Sequence, residues 1–242
     1  IMGCWLLIGL YILLAASSYA ELTVMMPKAG GAYNYIQRAF GHFAGFIFGW
    51  FDLLNNAIAP AFFCIVLGEY TVDIFPSLTH LETWFALGYL AFFGALNLPG
   101  VQSGSMLQKI SSILKVLLFL ILIVGCFVAN PGLDTRETTE FAFTGTAIIG
   151  IFKALQLIMG TFDGWMAVSF FAEEDSNPEK QVPRSYLMGA FSVMMIYLLI
   201  NGAILYAVPI DVIAQSPLAA ADAAKVAFGS WSTTIVTAVS VF

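Results

Sequence analysis

Gly160-Thr161-Phe162-Asp163-Gly164 lies in the middle of a run, Ile148 to Phe171, that is otherwise long and apolar enough to cross a bilayer. It sets two glycines and an ionisable carboxyl at a depth where unpaired polar groups are costly. A polar stretch, Glu173-Glu174-Asp175-Ser176-Asn177-Pro178, follows at once. Helix breakers in mid-membrane are tolerated only where the freed backbone is buried in protein or lines a wet cavity. In secondary transporters, half-helix ends of this kind turn N–H and C=O groups towards the substrate. The break therefore predicts part of a membrane transporter.

Composition points the same way. Of 242 residues, 60% are apolar and 10% charged, and the mean hydropathy is +0.89. A soluble domain carries roughly 25% charged residues. A net charge of −6 without a basic stripe argues against a nucleic-acid partner. Cys4, Cys64 and Cys126 sit singly in apolar segments, with no CxxC or Cys/His spacing, so they read as packing residues. His42 and His80 are lone residues at membrane edges. Neither a metal site nor a cofactor is expected, and no nucleophile with a base can be assembled, so the chain does not read as an enzyme.

Working outward from the break, hydropathy predicts six spans near the roughly 20 residues that a bilayer requires. They cover 2–25, 43–74, 83–98, 108–129, 147–172 and 185–208, and a seventh opens near Ser230. The second is long enough to need tilt, with a kink at Pro60. Pro27-Lys28-Ala29-Gly30-Gly31, Asn97-Leu98-Pro99-Gly100 and Asn130-Pro131-Gly132 read as helix stops. Lys28, Arg38, Lys109, Lys180 and Arg184 fall on one side, against Arg136 and Lys225 on the other, which carries Asp134, Glu137 and Glu140. The positive-inside rule puts the first side in the cytoplasm. No charged n-region precedes the first span, so it is not a signal peptide. Residues 1–242 read as a single polytopic membrane domain, a fragment of a longer protein, since Ile1 is no initiator and the seventh span is unfinished.

Within that frame, carbonyls around Gly160, Thr161 and Phe162 are candidate acceptors for a substrate ammonium. The N–H groups near Gly164 and Trp165 suit an anion. Both together match an α-amino acid. Phe162 and Trp165 would supply apolar walls, and Asp163 is a candidate by virtue of its depth. The alternative is a flexible glycine pair with Asp163 snorkelling or paired to another helix. Lys115 lies inside the apolar run Ile110 to Val128. It either snorkels to the cytoplasmic edge or holds the place of a bound cation, with a pKa open to proton exchange; the residues alone leave both open. Asn55 and Asn56, beside Pro60, read as amides that join helices. Asp52 reads as snorkelling or paired, and Glu69, Asp73 and Lys153 as interfacial.

Four landmarks carry a family resemblance. Ser18-Tyr19-Ala20-Glu21-Leu22 with Met26-Pro27-Lys28-Ala29-Gly30-Gly31-Ala32-Tyr33 is the first, and Leu96-Asn97-Leu98-Pro99-Gly100-Val101 through Gln108 to Lys115 is the second. The third is Phe162-Asp163-Gly164-Trp165 with Glu173-Glu174, Asn177-Pro178 and Val182-Pro183-Arg184. Pro209, Ala214 to Pro217 and Phe228-Gly229-Ser230-Trp231 complete the set. Together these resemble the amino acid–polyamine–organocation permeases, closest to the L-type branch and its bacterial relatives. The resemblance implies a LeuT-type five-plus-five inverted repeat running here from helix 2 into helix 8, with helix 1 and its carboxylate-binding turn absent. It also implies that the carbonyls of Gly160 and Asp163 take the α-amino group, with Phe162 and Trp165 near the pocket. Lys115 would match a lysine that occupies a sodium-like site in sodium-independent members.

Two departures bear on substrate choice. Several relatives of that kind place an aromatic gate where this chain has Gly160, and some arginine-type exchangers have an acidic residue at Met166. The expected function is a secondary active transporter of neutral L-amino acids in the plasma membrane, an exchanger or proton-linked symporter working by alternating access. A polyamine or organic-cation permease and a non-transporting membrane sensor or subunit are the alternatives. A single-span accessory subunit or a homo-oligomer would be compatible with either.

Overall fold

The computed structural model describes residues 1–98, 101–129, 145–175, 177–216, 219–229 and 232. The expected stops at Pro99-Gly100 and Asn130-Pro131-Gly132, the loop residues Asp134, Arg136, Glu137 and Glu140, and the span opening at Ser230 lie outside these; so do Ser176, Pro217 and Trp231. The described residues are helical, with no strand among them. In chain order the α-helices are α1 Met2–Met25, α2 Ala32–Phe40, α3 His42–Ile74, α4 Glu82–Asn97, α5 Val101–Val128, α6 Gly145–Thr161, α7 Pro178–Ala207, α8 Ile210–Gln215 and α9 Ala219–Phe228. Short 3-10 segments occupy Pro76–Leu81, Trp165–Phe170 and Ala172–Glu174. Among the described residues, five stretches are long and apolar enough to span a membrane: Met2–Met25, His42–Val72, Gln108–Val128, Ala147–Glu174 and Pro178–Ala207; the span expected at 83–98 is helix α4 and is not one of them.

Several boundaries differ from the sequence reading, each for a physical reason. The span expected at 185–208 begins at Pro178. Pro178 occupies the first turn, where its missing N–H has no intrahelical partner to lose, so proline opens this helix instead of breaking it. The following Pro183 is carried inside α7. The span expected at 108–129 starts at Val101. The third span does not lengthen: α4 has 16 residues and is preceded by the 3-10 turn Pro76–Leu81. Helix α3 runs 33 residues with Pro60 inside it. At 1.5 Å per residue it exceeds a hydrocarbon core of about 30 Å, so it must tilt. Asn56 does not join helices; its amide donates back to the Asp52 carbonyl of the same helix at 2.8 Å.

Two buried clusters hold the helices. Ile8, Ile12, Ala16 and Ala20 of α1 meet Val182, Tyr186, Ala190 and Met194 of α7, and Ile158, Phe162 and Ala172 close the group. Their spacing of four residues makes one stripe per helix. Small residues let the axes approach, as membrane helix pairs require where no hydrophobic drive exists between them. A Cβ added at Gly9 would meet the Met194 side chain, with Sδ at 2.6 Å. The second cluster joins Leu122, Ile123 and Cys126 of α5 to Ala203, Ala207 and Val208 and to Ala223 and Ala224 of α9. Outward faces are apolar: Leu14 and Phe51 are each 71% exposed and Leu157 is 74% exposed. In water such surface would be a liability; against acyl chains it is the expected solvent face.

At the end of α1, Gly30 and Gly31 take φ of +106° and +48° and turn the chain into α2. Asn34 Nδ2 donates to the Ala29 carbonyl at 2.8 Å and fixes that turn. Helix α2 buries Ala32 and Tyr35 beneath it. Tyr35 Oη donates to Thr23 Oγ1 at 2.8 Å, and Thr23 Oγ1 donates to the Tyr19 carbonyl at 2.7 Å. Burial pushes the Tyr35 phenol above its ordinary range, which keeps it protonated as the donor. Thr23 has no exposed surface. Replacing it by the similarly shaped valine strands a buried hydroxyl, so Thr23→Val is expected to lower unfolding stability by about 1–3 kcal/mol. A thermal melt in detergent that matches the parent protein would refute this.

The break in the sixth helix as a candidate substrate site

Helix α6 does not fade out; it is tied off. Thr161 Oγ1 donates to the Ile158 carbonyl at 2.7 Å, and the Phe162 N–H closes on the Met159 carbonyl at 3.2 Å, tightening the last turn. Gly164 then takes φ of +87°, a left-handed conformation that an L side chain enters only at a cost. Its N–H, which would continue the helix by reaching back to Gly160, is instead held by Asp163 Oδ1 at 2.8 Å. The Ala167 N–H closes on the Gly164 carbonyl at 3.1 Å and opens the 3-10 segment Trp165–Phe170. Among the described residues no backbone N–H closes on the carbonyls of Gly160, Phe162 or Asp163. Gly160, Asp163 and Gly164 are all exposed, and a Cβ built on Gly160 meets open space.

The six residues singled out from sequence do not all play the parts expected of them. The Thr161 carbonyl is already engaged, accepting the hydroxyl of Tyr197 on α7 at 2.9 Å. Phe162 is only 4% exposed and belongs to the α1–α7 core. Its ring lies 6.2 Å from that of Trp5 and 5.0 Å from that of Tyr197. Trp165 is half-buried, edge-on to Tyr19 at 5.0 Å and to Tyr186 at 6.4 Å. Each aromatic is therefore an anchor for one half of the break. Lys115 is exposed on α5, whose main packing partners are α7 and α9; among the described residues no hydrogen bond or ion pair joins it to the break. Helix α5 begins at Val101, but its membrane-length apolar stretch begins at Gln108, so Lys115 lies about 10 Å into that stretch.

Tyr197, Trp5, Tyr19 and Tyr186 were missed by the sequence reading. The one available signal was a phenol deep in an apolar span, since a buried Tyr hydroxyl needs a partner.

Beyond the break, the inner segment is fastened to the loop between α1 and α2. Glu173 Oε2 accepts the Ala29 N–H at 2.7 Å. The Met166 carbonyl accepts Ser169 Oγ at 2.7 Å and Tyr186 Oη at 3.4 Å. Gly31 packs so closely on Ser169 that an added Cβ would collide with its hydroxyl. The outer half of the break is thus held by α1 and α7, and the inner half by α1, α7 and the loop before α2.

A multi-span helical bundle with one helix opened in this way is an architecture on which secondary transporters build substrate sites. The family profile described as "Amino acid permease" matches residues 1–242, and the chain belongs to that family, as a multi-pass integral membrane protein. It is similar to the "Serine/threonine exchanger SteT" of Bacillus subtilis, 28% identical over 232 residues, which are 93% of this chain and 51% of that protein. It is also similar to the "b(0,+)-type amino acid transporter 1" of Mus musculus, 27% identical over 204 residues, 81% of this chain and 42% of that protein. The "Low-affinity putrescine importer PlaP" of Escherichia coli K12 is 28% identical over 193 residues, covering 77% and 42% respectively. The chain spans about half the length of these curated relatives.

Proposed function

We propose that this chain carries half of the substrate site of a secondary active amino acid transporter of the plasma membrane. The observation that carries this reading is the pair of carbonyls at Gly160 and Asp163, left open by a glycine that is locked left-handed. Two open acceptors three residues apart suit an ammonium group, and the negative end of the α6 dipole reinforces them. The reading extends to a LeuT-type five-plus-five repeat, with α1 as its second helix and α6 with its 3-10 continuation as its broken sixth. Transport proceeds by alternating access, as neutral L-amino acid exchange or proton-linked symport. Lys115 serves as the fixed cation whose proton couples the cycle. An accessory single-span subunit or a second copy is compatible with the exposed apolar faces.

Counterflow uptake by the complete protein in proteoliposomes, with labelled amino acids and polyamines and with or without a pH gradient, tests the proposal. Saturable exchange of neutral amino acids is expected; absence of any saturable uptake from folded protein would leave the sensor or subunit reading.

The likeness to a putrescine importer keeps a second reading open, in which the exposed Asp163 is a counter-charge to a cationic substrate. Asp163→Asn separates the two. Neutral amino acid uptake is expected to persist within about threefold, since the side-chain oxygen that holds Gly164 N–H survives. Loss of polyamine uptake by tenfold or more, with the parent protein carrying polyamines, would favour the cation permease instead.

A further inference from the structure

Helix ends leave carbonyls without intrahelical partners, and a substrate site made of such carbonyls needs something to hold them still. In this chain one of them is held from across the bundle. Tyr197 sits in α7, 36 residues beyond Thr161, and its hydroxyl donates to the Thr161 carbonyl at 2.9 Å. The ring is gripped on two sides, 5.2 Å from Trp5 and 5.0 Å, edge-on, from Phe162. Its position is therefore set by α1 and by the break itself. Thr161 is the residue after Gly160 and two before Asp163, so the clamped carbonyl lies among three that remain open, those of Gly160, Phe162 and Asp163. No N–H of the α6 backbone reaches it.

We infer that Tyr197 is a positioning residue for substrate recognition: its hydroxyl pins the Thr161 carbonyl and so fixes the direction in which the carbonyls of Gly160 and Asp163 present themselves to a substrate ammonium. Thr161 then contributes to the site through the shape of the joint and not as a ligand. The inference rests on the amino acid reading of the same site. A hydroxyl held between two aromatic rings supplies a donor without adding a mobile group. Without it the planar peptide unit of Thr161 and Phe162 is held only by the Phe162 N–H on the Met159 carbonyl, and the neighbouring acceptors are less firmly aimed. Binding in the ground state suffers first, because the substrate must then order the joint itself.

The test uses the complete protein in proteoliposomes. Tyr197→Phe keeps both ring contacts and removes only the hydroxyl. The apparent KM for a transported neutral amino acid is expected to rise about fivefold, the equivalent of one ordinary hydrogen bond, with the maximal rate within about twofold. A purely structural role predicts the other pattern, a lower maximal rate from less folded protein at unchanged KM, and that result overturns the inference. So does an unchanged KM with unchanged rate. Para-aminophenylalanine at position 197 retains a donor at the same reach and is expected to restore the parent KM; a raised KM there also overturns it, and this variant remains decisive where Tyr197→Phe does not fold. Failure of the parent protein to transport any amino acid would count instead against the function proposed above.

Discussion

Gly164→Leu is expected to abolish uptake while leaving the protein in the membrane and folded. The left-handed φ of +87° at this position costs an L side chain about 1–2 kcal/mol. Leucine is also among the better helix formers. The relieved conformation available to the variant is a continued helix, in which the residue 164 N–H leaves Asp163 Oδ1 and closes on the Gly160 carbonyl. That single exchange removes one of the two acceptors and straightens the joint. A drop of at least about a hundredfold in uptake is expected, because no alternative break exists in the run from Ile148 to Phe171. Gly150→Ala is the control, since it lies in α6 away from the break and its Cβ enters open space. If Gly164→Leu transports at the parent rate, the break is not the site.

The second large effect lies outside the break. Gly31→Ala places a Cβ against Ser169 Oγ and within 3.2 Å of the Phe170 ring, at a φ of +48° and ψ of −124° that suits glycine alone. Strain and overpacking together are expected to cost about 2–4 kcal/mol of stability. Ser169→Gly gives up the bond to Met166 but empties the collision point, so Gly31→Ala/Ser169→Gly should lose less than the sum of its single variants. Melting temperatures of all four proteins form the cycle. Additive losses would show that loop and inner segment do not press on one another.

The break was legible because its signal is local: two glycines and a carboxyl lie close together inside one apolar run, and a polar stretch ending in a proline follows that run. Five of the six expected full spans were legible for the same reason, through composition over about 20 residues. What failed was whatever depends on position or distance. Pro178 reads as a stop in composition yet is a favourable first-turn residue, so α7 began seven residues earlier than expected. Asn56 offered an amide without saying which carbonyl it would choose, and the nearest was on its own helix. Phe162 beside the glycines looked like a pocket wall, whereas its neighbours across the bundle, Trp5 and Tyr197, make it an anchor. Tyr197 itself could not be read, because its partner is 36 residues away and hydropathy carries no record of pairing.

The rings that flank the break also give the protein an optical signature. Trp5 rests beside Phe162 on the outer half and Trp165 beside Tyr19 on the inner half. Trp50 and Trp84 are 52% and 70% exposed on faces turned to lipid. Acyl chains carrying bromine quench indoles they can touch, so they would darken the second pair and leave the first. With Trp231 replaced by phenylalanine, the emission of this chain that survives comes from two chromophores standing on either side of the joint, and the substrate's arrival can be followed without an added label.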